Sequence, residues 1–184
     1  MTSSSPSVSA GGLAIGRGAL RQLHQSLLSR TPEHAIAILQ ETGYAAGPGV
    51  YEAFSDWLPE HAGVSRPEDL DATAFNEVVA DFFRSYGWGT LTVTALGRAI
   101  AVDSADWAEA EPGSAQTPMC FFSAGMLADF FGRISGESVA VMEVECRCRN
   151  DARCRFLLAN PEVLQQVYEL MTQGRSYEEA LSGS

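Results

Sequence analysis

Lysine is absent from the 184 residues, and all twelve basic side chains are arginine. We read that bias as the mark of a GC-rich genome rather than as chemistry. Basic charge is short in total as well, because 23 acidic residues leave a net charge of −11. No positive field is available to displace counterions from phosphates, which excludes non-specific nucleic-acid binding and docking on an anionic membrane surface. Long apolar runs are missing too: nothing approaches the roughly 18–20 residues that span a bilayer. The opening "MTSSSPSVSAGG" lacks the basic and apolar regions of a secretory leader. Residues 1–13 are expected to be a disordered arm, and residues 14–184 a single domain. A cytoplasmic, reducing location is expected, so the cysteines are not read as disulfides.

Recognisable catalytic patterns are also absent. There is no Ser/His/Asp triad, no dinucleotide fingerprint and no acid–base carboxylate pair in a familiar setting. "GYAAGPGVY" is glycine-rich, but no strand precedes it and no basic residue follows it, so it is not a phosphate loop. Histidine is scarce: His24, His34 and His61 all lie in the first third, and none has metal-ligand spacing with another histidine or with a cysteine. Enzymatic activity is therefore not the expectation.

What is present suits a globular chain, with 46% hydrophobic and 9% aromatic residues. Apolar residues at helical spacing predict a helix over residues 15–28. Thr31 and Pro32 restart one, which the glycines and proline of Gly43–Gly49 are expected to break before it resumes over Val50–Leu58. Phe75, Val78, Val79, Phe82, Phe83 and Tyr86 mark another helix. Leu91, Val93 and Ala95 alternate with threonines, and Gly97 turns the chain into Ala99–Val102, a β-hairpin. A helix capped by Thr117, with Pro118 first, is expected to end at Gly136. "SVAVMEVECRC" and "RCRFLLA" form a second hairpin, followed by helices from Asn160-Pro161 and from Ser176, where Glu179 completes a capping box. The fold class is α+β: one antiparallel sheet of about four strands, from two hairpins, covered by helices.

Three of the four cysteines fall within "EVECRCRNDARC". Cys146 and Cys154 flank a turn for which Asn150-Asp151 is suited, since asparagine tolerates a left-handed backbone. Cys120, read as the third residue of its helix, would have its thiolate favoured by the helix dipole. Cys120, Glu143, Cys146 and Cys154 could close a tetrahedral metal site. Glu143 and Cys146 share a face only if a twist or bulge falls near Val144–Glu145, because side chains alternate along a strand. An all-cysteine set with Cys148 in place of Glu143 satisfies the same chemistry. So, from the residues alone, do four buried reduced thiols. Glu145 reads as a solvated strand residue.

The spacing of Cys120, Glu143, Cys146 and Cys154, and the run "CFFSAGMLADFFGRISGESVAVMEVECRCRNDARCRF", resemble the 4-vinyl-reductase domain family. The resemblance is strong over residues 104–158 and follows element order alone from Ile15. That family includes phenol-sensing domains of bacterial activators and a bacteriochlorophyll-biosynthesis protein, and its fold is similar to that of TRAPP trafficking subunits. The resemblance implies a structural Zn²⁺ on Cys120, Glu143, Cys146 and Cys154, with Cys148 as an extra thiol. It also implies a buried site for a small hydrophobic or aromatic ligand, a homodimer paired through helices, and a downstream signalling partner. The chain departs from the family at Asn150 and Ala128, where glycine is common. Trp88, Trp107, Phe122, Phe83 and Tyr86 are the candidate pocket wall, with core packing as the plainer reading. Two alternatives accompany the sensor or carrier: an accessory protein of tetrapyrrole metabolism that holds a porphyrin-type precursor, and a homodimeric scaffold.

Overall fold

The computed structural model describes residues 15–182. The expected arm at residues 1–13 lies outside them. Six helices and four strands follow in the order α1 (Arg17–Arg30), α2 (Pro32–Ala62), α3 (Ala72–Ser85), β1 (Thr92–Leu96), β2 (Ala99–Ser104), α4 (Phe121–Ser135), β3 (Ala140–Glu145), β4 (Cys154–Ala159), α5 (Pro161–Thr172) and α6 (Tyr177–Ser182). The strands form one antiparallel sheet in the order β1-β2-β4-β3, so the two hairpins meet at the β2–β4 seam. This is the α+β architecture that the element pattern predicts.

Alternation along the strands gives the sheet two covered faces. Val102, Phe156 and Leu158 point to a core shared with Phe54, Phe82, Phe83, Leu127 and Phe130 from α2, α3 and α4. Ala101, Leu157 and Val144 point the other way, toward Leu164, Val167, Tyr177 and Leu181 of α5 and α6. The first core is dense in aromatic rings meeting edge to face, such as Phe54–Phe82 at 5.1 Å and Phe83–Phe130 at 5.2 Å. Each such pair contributes about 0.5–1.5 kcal/mol beyond area burial.

One expectation fails. Gly43–Gly49 does not break a helix, and α2 runs unbroken for 31 residues through Pro48. Glycine costs about 1 kcal/mol and proline about 3 kcal/mol inside a helix. Tertiary packing outweighs both. Leu39, Gly43, Gly47, Phe54 and Leu58 form one buried stripe. A Cβ on Gly43 would lie 1.9 Å from the Phe122 carbonyl oxygen, and one on Gly125 of α4 would lie 2.0 Å from the Gln40 carbonyl oxygen. The glycines serve close approach of two backbones, a role a local reading of breakers does not anticipate.

The exposed edge of β1 is closed by a side chain. Asn76 of α3 accepts from Val93 N at 2.7 Å, and its amide nitrogen donates to Val93 O. On the second face, Arg155 is held in a two-pronged contact by Asp103, at 2.7 and 2.6 Å. It also donates to the Tyr177 hydroxyl at 2.9 Å, and that hydroxyl donates to Glu145. This network fastens α6 to the sheet. Among the described residues no helix is long and apolar enough to cross a membrane.

Two outcomes follow from the packing. Gly125→Ala is expected to lower unfolding free energy by about 2–3 kcal/mol in urea titration, whereas Gly49→Ala, which meets nothing within 4 Å, is expected to be neutral or stabilising. Burial, and then donation to Glu145, pushes the Tyr177 hydroxyl up to about 12. A folded value raised above the unfolded one of about 10 gives stability that is complete below pH 10 and lost between pH 10 and 12. Thermal melts should show that step, and Tyr177→Phe should remove it.

Candidate metal centre

Three pieces of chain converge where α4 begins. Helix α4 starts at Phe121, so Cys120 is its N-cap and not its third residue, and neither Thr117 nor Pro118 is helical. The first-turn N–H groups are taken by carboxylates from elsewhere. Glu109 accepts from Phe122 N at 3.0 Å and Ser123 N at 2.7 Å, and Glu143 Oε2 accepts from Cys120 N at 2.9 Å. Trp107 Nε1 donates to Ser123 Oγ at 2.7 Å and holds the incoming segment against the same turn. A negative group at a helix N-terminus is favoured by the helix dipole and by the orphan N–H donors.

The second piece is β3. Its pairing with β4 shifts register between Glu143 and Glu145. Val144 joins the core under α5 and α6, and Glu145 joins the Arg155–Tyr177 network on that same side. Two consecutive side chains on one face are what a β-bulge produces. The bulge near Val144–Glu145 that the spacing requires is therefore present. It brings Glu143 and Cys146 to the same face despite their odd separation.

The third piece is the turn. The predicted strand stops at Glu145, and Arg147–Arg149 is a 3-10 turn closed by Asn150 in the left-handed region, at φ 66. Arg149 N donates to Cys146 O at 2.9 Å, and Asp151 Oδ2 accepts from Cys146 N at 2.7 Å. The loop before α4 is laced to this turn by Ala115 N to Cys148 O at 3.0 Å and Gly113 N to Arg147 O at 3.2 Å. The chain then returns to Cys154, opposite Ser104 in register.

Cys120, Glu143, Cys146 and Cys154 each offer a ligand atom, all within 4.8 Å of one another, the one such group among the described residues. Cys120 Sγ is 3.9 Å from both Cys146 Sγ and Cys154 Sγ. Two sulfurs on one tetrahedral ion, each at about 2.3 Å, would stand roughly 3.8 Å apart. Glu143 Oε1 is buried with no hydrogen-bond partner, the lone pair an ion would take. The set can hold a metal. Cys148 is buried nearby but lies outside this group.

The acidities show why. Burial, and then the charge of Cys146, pushes the Glu143 carboxyl up to about 9. Burial also pushes the Cys120 thiol well up, with Cys146 the next cause. The hydrogen bond from Cys120 pulls Cys146 down to about 6 and Cys154 down to about 5. Without a cation, the four groups ionise only at one another's expense. A cation would let all four be ligands, and its binding would release protons.

The other candidates are placed as follows. Trp88, Trp107, Phe122 and Phe83 form a contiguous aromatic set, with Trp88–Trp107 at 5.5 Å, Trp88–Phe122 at 6.0 Å and Phe83–Trp107 at 5.9 Å. Tyr86 packs on Phe82 at 4.7 Å. None of the five lines the cleft at α1 or the shallow depression between α2 and α4. His34 and His61 are exposed, and His61 stacks on Trp57 at 3.7 Å. His24 is buried beside Glu109. The sequence reading missed Glu109, because nothing local marks a carboxylate that caps a helix a dozen residues downstream.

The geometry defines an α+β protein with a cysteine–glutamate cluster between a helix N-terminus and a bulged hairpin. Residues 105–160, which hold that cluster, match the vinyl-4-reductase domain, the family that the ligand spacing resembles. The chain is 28% identical over 137 residues to the bacteriochlorophyll synthase 23 kDa chain of Cereibacter sphaeroides, covering 74% of this chain and 66% of that protein. It thus spans just under two thirds of that relative. The fold is that of the phenol-responsive sensory domain of the transcription activator PoxR, solved with phenol: TM-score 0.63, 17% identity, 94% of this chain and 84% of that one. A vinyl-4-reductase family protein from Methanocaldococcus jannaschii also matches, at TM-score 0.40 and 16% identity, over 80% of this chain and 98% of that one.

Asn150→Gly is expected to leave stability unchanged or slightly raised, because glycine adopts the left-handed backbone freely. Asn150→Val should cost about 1–2 kcal/mol, measured as a lower denaturation midpoint.

Proposed function

We propose that this chain is a non-enzymatic domain that binds a small hydrophobic or aromatic molecule and is stabilised by a structural Zn²⁺. The observation that carries the zinc is the convergence of Cys120, Glu143, Cys146 and Cys154 with sulfurs 3.9 Å apart. Three thiolates and one carboxylate favour zinc over the hard cations, which take oxygen ligands. Four protein ligands leave no open position, so the ion supplies folding energy and not catalysis. Ligand binding is supported by the fold shared with a phenol-responsive sensory domain. Output would then pass to a signalling partner, and exposed Leu23, Ile36, Ile38 and Tyr44 on α1 and α2 are the apolar surface through which a homodimer would pair.

A second reading has its own support. The similarity to a bacteriochlorophyll synthase chain favours an accessory protein that holds a tetrapyrrole precursor. Absorbance separates the two: a bound porphyrin shifts its Soret band, whereas a phenol or a fatty acid quenches the tryptophans and leaves no such band.

The zinc is tested by elemental analysis of protein prepared without added metal or a histidine tag. About one zinc per chain is expected. Cys146→Ser and Cys154→Ser should each lose it and melt at lower temperature, because metal-binding free energy in such sites is folding free energy. Metal-free protein with an unchanged melting temperature in both variants would return the cluster to buried thiols.

A further inference from the structure

A cleft of about 150 Å³ lies between α1 and the segment that leads into α4. Neither the cysteine cluster nor the aromatic core accounts for it. Leu20, Leu28 and Met119 form its apolar wall, and His24 and Glu109 its polar one. The ion pair Arg21–Glu111, at 2.9 Å and about half exposed, lies among the lining residues. Arg17 is occupied, donating to Gly87 O at 3.0 Å.

The polar wall is built and incomplete. The side chains of His24 and Glu109 are only 10% and 1% exposed, and His24 Nε2 stands 2.9 Å from Glu109 Oε1. Two lone pairs at that distance would repel, so a proton belongs between them. Yet the two atoms are out of line for a hydrogen bond, and His24 Nε2 is buried with no hydrogen-bond partner. A buried polar nitrogen without a partner costs about 1–3 kcal/mol. Glu109 is fixed by its bonds to Phe122 N and Ser123 N and cannot turn to meet it.

We propose that this cleft binds a compact, neutral molecule of single-ring size that carries one hydroxyl group. The hydroxyl oxygen accepts from His24 Nε2, and the hydroxyl proton is donated to Glu109 Oε1. A hydroxyl does both at once and bridges the misaligned pair. The apolar body lies against Leu20, Leu28 and Met119. An apolar cavity of about 150 Å³ holds benzene, which sets the size. Charge sets the neutrality: an anion would face Glu109 and Glu111, and a cation would compete with Arg17 and Arg21. The inference rests on the ligand-binding reading and gives it a place and a ligand class.

Calorimetric titration of the full chain with phenol, cyclohexanol and toluene tests it, with tryptophan quenching by a fatty acid alongside. Phenol and cyclohexanol should bind at least tenfold more tightly than toluene. His24→Leu should abolish that preference. Ser114→Trp, an exposed residue on the cleft wall, should weaken all three tenfold or more while metal content and melting temperature stay the same. That second variant serves if His24→Leu fails to fold. Unchanged phenol affinity in both variants would overturn the cleft and leave the ligand-binding reading intact. So would fatty-acid quenching with none of the three probes bound. No binding of any of the four would overturn both.

Discussion

Helices α2 and α4 meet backbone to backbone at Gly43 and Gly125, and the position of every other group near the cluster depends on that approach. With side chains at the crossing, α4 would stand away from α2 by the thickness of a methyl group or more. The Phe54, Phe83 and Phe130 rings would lose their edge-to-face contacts in the gap. The N-terminus of α4 would move with the helix, and Cys120 would leave the hairpin that carries Cys146 and Cys154. Interiors are close-packed and deform by jumps, so such a shift could not be absorbed locally. Two missing side chains thus set the depth of a helix, and the depth of the helix sets a cluster of four acids.

The cluster combines three local devices that each solve a different problem. The bulge in β3 corrects parity, putting Glu143 and Cys146 on one face. The left-handed residue Asn150 tightens the turn, so that Cys154 returns beside Cys146. Capping of α4 by Glu109 leaves the Cys120 N–H for Glu143 and holds that carboxylate in place. The result is a buried, acid-rich pocket at a positive helix end, in which raised and lowered acidities sit side by side. Such an environment is costly to keep neutral and better matched by one divalent ion, which is the physical core of the zinc proposal.

Much of this was legible in the sequence because the signals were local. The two hairpins, the helix before the cysteine strand and the spacing of Cys120, Glu143, Cys146 and Cys154 follow from period, turn residues and ligand chemistry. Even the bulge was implied, as the one way for Glu143 and Cys146 to face the same side. What was not legible was long-range. Gly43 and Gly47 read as breakers because their partner, Phe122 to Asp129 on α4, is some eighty residues away. Cys120 read as a residue inside its helix because Thr117-Pro118 is a better local start than the one the tertiary structure uses. Glu109 and His24 carried no signal, since a cap and its partner drawn from distant segments have no spacing to recognise. The aromatic residues of the expected pocket wall pack on one another, as a wide apolar stripe does when nothing else fills the space.

Asn76 has a consequence for how copies of this chain can meet. A primary amide presents one donor and one acceptor side by side, the same pair that a peptide unit presents across a ladder. By engaging both the N–H and the C=O of Val93, it imitates a fifth strand one residue long at the middle of β1. Unsatisfied edges are templates on which further strands grow. Here the template is blunted by a side chain from a helix, with no proline, lysine or shortened strand needed. Growth of the sheet from molecule to molecule is disfavoured at that edge, and polymerisation is resisted there by mimicry.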